Sequence, residues 1–165
     1  MRNLYLLDAN ALIDAHQDFY PLDRIPGFWI WLVKMGNESR IKIPSEIYDE
    51  VAPFNGSLPS WLQQREVRSA LVLQERSNMA LVQQVLAVGY APDLDDVEIE
   101  EIGKDPFLVA AAMSGDNRFV VTREVSKKTQ FRAKRRLPDV CYTLGIKCVT
   151  DFQAYKQLDF SLPVS

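Results

Sequence analysis

The sequence predicts an α/β fold: one domain over residues 1–159, with a parallel central sheet of four or five strands flanked by helices, and a tail over 160–165. Three observations predict it. Short apolar or β-branched runs recur at Leu4–Leu7, Ile41–Ile43, Phe119–Thr122 and Ile146–Val149. Segments with helical spacing of apolar residues separate them. Strands that alternate with helices in this way pair in parallel, because each crossover carries a helix. There is no internal repeat and no low-complexity tract.

Leu4–Leu7 reads as a buried strand that ends at Asp8, and Ala9 to Ala15 as the start of a helix. Ile25, Phe28, Trp29, Leu32 and Val33 mark a second helix, opened near Pro26 and closed by Gly36-Asn37. After the strand at Ile41–Ile43, Pro44-Ser45 opens a short helix through Val51. Ser60 to Val88 reads as helical in two pieces with Ser60 as N-cap, and Gly89 to Lys104 as an acidic connection. Asp105-Pro106 begins the next helix, Asp as N-cap and Pro in the first turn. A basic loop follows the strand at Phe119–Thr122. The chain then has a helix from Pro138 closed by Gly145, a last strand, and a helix from Asp151 to Gln157. Phe160 to Ser165 reads as a frayed tail. Phe28, Trp29 and Trp31 read as core more than as a base-stacking platform, and any excess apolar face there would suit a dimer.

Composition narrows the chemistry. With one histidine, His16, and two cysteines, Cys141 and Cys148, neither a thiolate-imidazole zinc site nor a disulfide scaffold is expected. No nucleophile motif such as G-x-S-x-G accompanies His16. Acid, base and metal work therefore falls to Asp and Glu. No apolar run approaches the ~18 residues of a membrane span, and the N-terminal run of four apolar residues ends in an acid, unlike a signal peptide. A cytoplasmic protein is expected.

The net charge is −3, but the charge is segregated. Six acids lie between Asp93 and Glu101. Seven bases, Arg123, Lys127, Lys128, Arg132, Lys134, Arg135 and Arg136, lie between 123 and 136, with Glu124 among them. The acidic run reads as a solvated face, since Val97 and Glu98 break the EF-hand pattern. The basic run is the expected contact for RNA phosphates.

In open parallel sheets the site lies at the carboxyl ends of the strands. Asp8 ends the first strand, Glu50 lies in the helix after the second, Asp105 opens a helix, and Glu124 follows the third strand. Acids that converge there repel one another, and Mg²⁺ or Mn²⁺ is the natural relief because both take oxygen ligands. Glu46, one helical turn before Glu50, is the alternative second acid.

Four blocks resemble the PIN-domain nucleases. Leu6-Leu7-Asp8-Ala9-Asn10-Ala11 is similar to their D-x-N start, and Ser45-Glu46-Ile47-Tyr48-Asp49-Glu50 to the Ser followed five residues later by Glu. Asp105-Pro106-Phe107-Leu108-Val109-Ala110-Ala111-Ala112 is similar to the third block, an acid leading an Ala-rich helix. Thr122-Arg123-Glu124 is similar to the fourth, where T-x-D is the usual form. The Phe28-Trp29 helix, Trp61 and Leu137-Pro138-Asp139-Val140-Cys141 resemble a PIN-like subfamily described as VapC-like toxins.

The resemblance implies a metal-dependent endoribonuclease with Asp8, Glu50, Asp105 and Glu124 as metal ligands. Asn10 would hold Asp8 or its turn, and Thr122 would position a ligand or water. It also implies 5′-phosphate and 3′-hydroxyl products, and commonly a homodimer. An antitoxin partner would block the acidic groove with a basic side chain. Two alternatives stand beside it: a PIN-like RNA- or protein-binding module without metal, and a haloacid-dehalogenase-like phosphatase. The phosphatase would need a second Asp where Asn10 stands.

Overall fold

β1 (Leu4–Leu7) lies inside a four-stranded sheet in the computed structural model, which describes residues 2–163. The order is β2 (Ile41–Lys42), β1, β3 (Arg118–Val121), β4 (Lys147–Val149), all parallel. Leu6 pairs with Lys42 on one side and Val120 on the other. The chain winds from β1 out to β2, then returns past β1 to β3. The carboxyl ends of β1 and β3 therefore form the point where the winding reverses, which is where such sheets open a crevice.

The helices in chain order are α1 (Ala9–Asp14), α2 (Pro26–Asn37), α3 (Ser45–Val51), α4 (Ser57–Gln63), α5 (Arg65–Leu71) and α6 (Met79–Gln84). They continue with α7 (Asp96–Ile102), α8 (Asp105–Met113), α9 (Leu137–Leu144) and α10 (Asp151–Gln157). Two helices loosen into π-helical turns: α1 runs on through Ala15–Phe19, and α6 through Val85–Tyr90. None of the helices is long and apolar enough to cross a membrane, among the described residues.

One core joins these layers. Leu6, Leu7, Ile41, Ile43, Leu108, Val109, Val120 and Val121 are fully buried between sheet and helices. Truncating one such Leu to Ala costs about 2–5 kcal/mol. Gly36 lets α2 and α5 touch, since a Cβ there would stand 2.5 Å from the Ala70 carbonyl. Gly145 closes α9 at φ +71°, a left-handed conformation that glycine adopts without strain.

Several elements differ from the sequence reading, each for a local reason. α2 continues through Gly36 to Asn37, and the chain turns at Ser39 with φ 56°. The stretch from Ser60 is not two helical pieces. α4 starts at Ser57, and after α5 the chain extends so that Val72 pairs with Ile43 beside the sheet before α6 begins. The acidic connection contains α7, opened by a capping box between Asp95 and Glu98. Lys104, not Asp105, stands at the N-cap of α8, and Asp105 is its first helical residue. Phe160 is no frayed end: its ring packs against Trp31 at 4.6 Å and Phe28 at 5.5 Å. Residues 164–165 of the expected tail lie outside the described residues. Phe28 and Trp29 are buried, as the core reading requires.

Candidate functional site

The site gathers where the winding reverses. Asp8 follows β1 at the N-cap position of α1 but makes no side-chain cap bond. Its carboxylate is buried and accepts a hydrogen bond from the Thr122 hydroxyl at 3.1 Å. Thr122, next after β3, also accepts the Glu124 amide at 3.1 Å. One threonine thus ties the end of β1 to the loop after β3. Asn10, expected to hold Asp8 or its turn, is exposed, and the hydroxyl that meets the Asp8 carboxylate is that of Thr122.

Asp105 enters from the first turn of α8. Its side chain, freed from capping, belongs to the same charge cluster. Burial pushes its pKa from 3.8 to about 8, and the negative charges of Asp8, Glu124 and Glu50 add to the rise. Burial likewise lifts Asp8 to about 6, with the Thr122 hydroxyl and the Ala9 amide opposing and Glu124 and Asp14 adding. Glu50, exposed near the end of α3, is raised by partial desolvation and by Asp8, with Lys104 opposing. The four predicted acids therefore act on one another from four separate segments.

Glu46 belongs elsewhere. It accepts from the Ser45 hydroxyl at 2.8 Å and from Ser77, and it lines a different cleft beside Pro44, Glu75 and Ala111. Glu124 is anchored as well as charged: its carboxylate accepts the Leu137 amide at 2.6 Å, at the first residue of α9.

The oxygen-only donor set, in which buried Asp8 and half-buried Asp105 hold protons unusually well, suits a hard cation such as Mg²⁺ or Mn²⁺. Among the described residues no three His, Cys, Asp or Glu side chains stand close enough together to hold an ion in this arrangement.

A cavity of about 250 Å³ opens beside the acids. Asp105, Glu124 and Tyr90 form part of its wall, and Lys134, Arg135 and Arg136 another part. The basic run is therefore next to the acids, but it is not one uniform strip. Arg123 turns inward to Asp151 at 2.8 Å and Asp14 at 3.1 Å, and lies 4.6 Å over the Phe19 ring. Arg132 binds Asp93 at 2.7 Å and Glu98 at 2.9 Å, and Lys134 pairs with Glu101. Arg135 donates to the Asp139 carbonyl at 3.2 Å and to Thr143. Lys127, Lys128 and Arg136 are exposed, and their side chains make no ion pair among the described residues.

Sequence reasoning missed Tyr90, whose hydroxyl is raised by burial and then by Asp105 and Glu124. Its only sequence signal, an aromatic beside a Gly in a stretch read as connection, does not distinguish it. Lys104 was missed for the same reason, being one base at the end of an acidic run.

Fold and site together define a doubly wound parallel α/β protein with a carboxylate cluster at its topological switch point. A family model described as a domain of unknown function, DUF4411, matches residues 5–162, and the chain belongs to that family. No curated protein and no solved structure gave a match.

Proposed function

We propose that this chain is a metal-dependent endoribonuclease of the PIN type. One observation carries the reading. Acids from four distant segments repel one another at the carboxyl edge of the sheet, beside a cavity whose wall carries Lys134, Arg135 and Arg136 together with Glu101, Asp105 and Glu124. Asp8, Glu50 and Asp105 would hold Mg²⁺ or Mn²⁺, with Glu124 as the fourth member of the set. When bound, the ion supplies Lewis-acid help for water attack on a phosphodiester.

The protein's own groups have separate tasks. Thr122 fixes the Asp8 carboxylate in one orientation. The Leu137 amide holds Glu124 against the wall shared with Asp105. Arg136, in that wall, would meet a backbone phosphate, while Lys127 and Lys128 would offset repulsion along the approaching strand. The same reading makes the chain the toxin of a cytoplasmic toxin–antitoxin pair, commonly a homodimer. An antitoxin would quiet it by placing a basic side chain among the acids.

The test is cleavage of several RNAs with Mg²⁺, Mn²⁺ or EDTA, by wild type and Asp8→Asn. Wild type is expected to cut only with metal, and the mutant not at all. Equal cutting by both, or indifference to EDTA, ends the proposal. A second reading, a binding module without metal, is favoured by the open spacing of the acids. It gains if neither protein cuts and both bind RNA equally.

A further inference from the structure

A second cavity touches the acid cluster, and the reaction itself leaves it unused. Its volume is about 310 Å³, and Glu50 is in its wall. That volume lies at the small end of the roughly 300–1,000 Å³ of small-molecule sites. Phe54 is in the same wall with 65% of its surface exposed, a large ring that the core does not need. His16, Gln17 and Asn55 add hydrogen-bonding groups. His16 Nδ1 accepts the Leu22 amide at 3.3 Å, which leaves Nε2–H as the donor of the neutral ring.

Local backbone supports a purpose here. His16 sits in the π-helical turn that extends α1, and such turns are frequent at functional sites. The other π-helical turn ends at Tyr90, in the first cavity. Each cavity that borders the acids thus takes one ring from a π-helical turn. The linings differ: the Asp105–Glu124 cavity sets three cationic residues among three acids, and the Glu50 cavity has neither Lys nor Arg and only Glu50 as an acid. A flat exposed ring with neutral polar groups beside it suits a base, which offers a π-face and an edge of donors and acceptors. Arg136, which makes no ion pair among the described residues, suits a phosphate at the first cavity.

We infer that the cavity between Glu50 and Phe54 is a nucleobase subsite, which receives the base next to the scissile phosphate of a single-stranded RNA. Phe54 stacks on the base, and His16, Gln17 and Asn55 read its edge. This rests on the nuclease reading for its place in the reaction, but base binding itself can be measured without cleavage.

The experiment uses hexaribonucleotides that differ at one base, in two arms. The first measures their binding to Asp8→Asn protein, with and without Phe54→Ala, Phe54→Leu or His16→Gln added. Phe54→Ala is expected to weaken binding about tenfold or more, the usual scale for a lost stacking ring. Phe54→Leu, which keeps apolar bulk but loses the flat face, should weaken it nearly as much. His16→Gln should change which base is preferred. The second arm measures cleavage, where Phe54→Ala should act on KM more than on kcat.

If oligonucleotides bind in a Phe54-dependent way but wild type never cuts, the subsite stands and the nuclease reading falls. If wild type cuts and all three variants keep its KM and base preference, the subsite falls and the nuclease reading stands. Absence of both binding and cutting removes both.

Discussion

Two groups of acids in this protein meet opposite fates. The acids of the 93–101 run look most conspicuous in the sequence, yet the structure neutralises three of them. Arg132 and Lys134 reach across from the basic run to Asp93, Glu98 and Glu101, with no buried member. The single acids Asp8 and Asp105 look ordinary in the sequence, yet Asp8 is buried and Asp105 half-buried, and neither has a basic partner among the described residues. Exposed pairs of the first kind contribute about 0–1 kcal/mol and are screened by salt. Carboxyls of the second kind store repulsion that only protons or a cation can remove. Charge density along the chain is thus a poor guide to where this molecule holds electrostatic strain.

The sharpest break of the comparison is a paired substitution. Asp8→Asn should lower RNA cleavage by about a thousandfold or more, the scale for removing a group that stabilises the transition state. Asp93→Asn should leave cleavage within about twofold, as befits an exposed pair. Initial rates on one RNA, with circular dichroism to confirm folding, decide it. Equal losses would mean that the two groups of acids are not different in kind.

The same contrast has a pH signature. Asp8 and Asp105 titrate at about 6 and about 8 when folded, above the ordinary 3.8. The folded state therefore holds protons that the unfolded state has already released. Their contribution to stability is complete below about pH 4 and is lost as pH rises through about 6 and then about 8. Metal-free protein should lose Tm from pH 5 to pH 8, by an amount on the order of a few kcal/mol in stability. Asp105→Asn should flatten that slope and raise Tm at pH 8. Adding Mg²⁺ or Mn²⁺ should restore Tm at pH 8 and do little at pH 5, where protons already occupy the carboxyls. A flat Tm profile, or equal metal effects at both pH values, would contradict this account.

What the sequence disclosed follows from the range of the interactions. Strand ends and the acids at them were legible because β1 and β3 are short apolar runs stopped by Asp8 and Thr122. The Ser-to-Glu spacing selects Glu50 with Glu46 as the alternative, and the two part in space: Glu46 meets Ser77 across 31 positions, whereas Glu50 is raised by partial desolvation and by Asp8. The pairing of Arg132 with Glu98 spans 34 positions and carries no local signal. Asn10 is near Asp8 in the chain, whereas Thr122, whose hydroxyl meets the Asp8 carboxylate, is 114 positions away. The Val72 contact with Ile43 interrupts a stretch that has helical composition on both sides.

The glutamates of α3 supply a smaller test within one helix. Glu50→Gln should reduce cleavage by about a hundredfold, because it removes an acid that acts on Asp8 and Asp105. Glu46→Gln should change it by no more than about twofold, since its partners are serines at another cleft. Reversed effects would move the metal site to that cleft.

The smallest expected effects lie within the basic run, where the comparison can be sharpened residue by residue. Arg136 is in the wall with Asp105 and Glu124, whereas Arg132 is occupied by Asp93 and Glu98. Arg136→Ala should weaken RNA binding by about tenfold and reduce its salt dependence by about one counterion. Arg132→Ala should lower Tm slightly, because it frees two acids to repel each other. Its effect on binding should be the weaker, because Arg132 is not in that wall. Binding measured over a salt series separates these cases, because a phosphate contact changes the slope of log K against log salt. An Arg132 variant with the larger change in slope would show that its ion pairs open when RNA arrives. The pairs of Arg132 with Asp93 and Glu98 would then be exchangeable for phosphate contacts instead of a fixed surface feature.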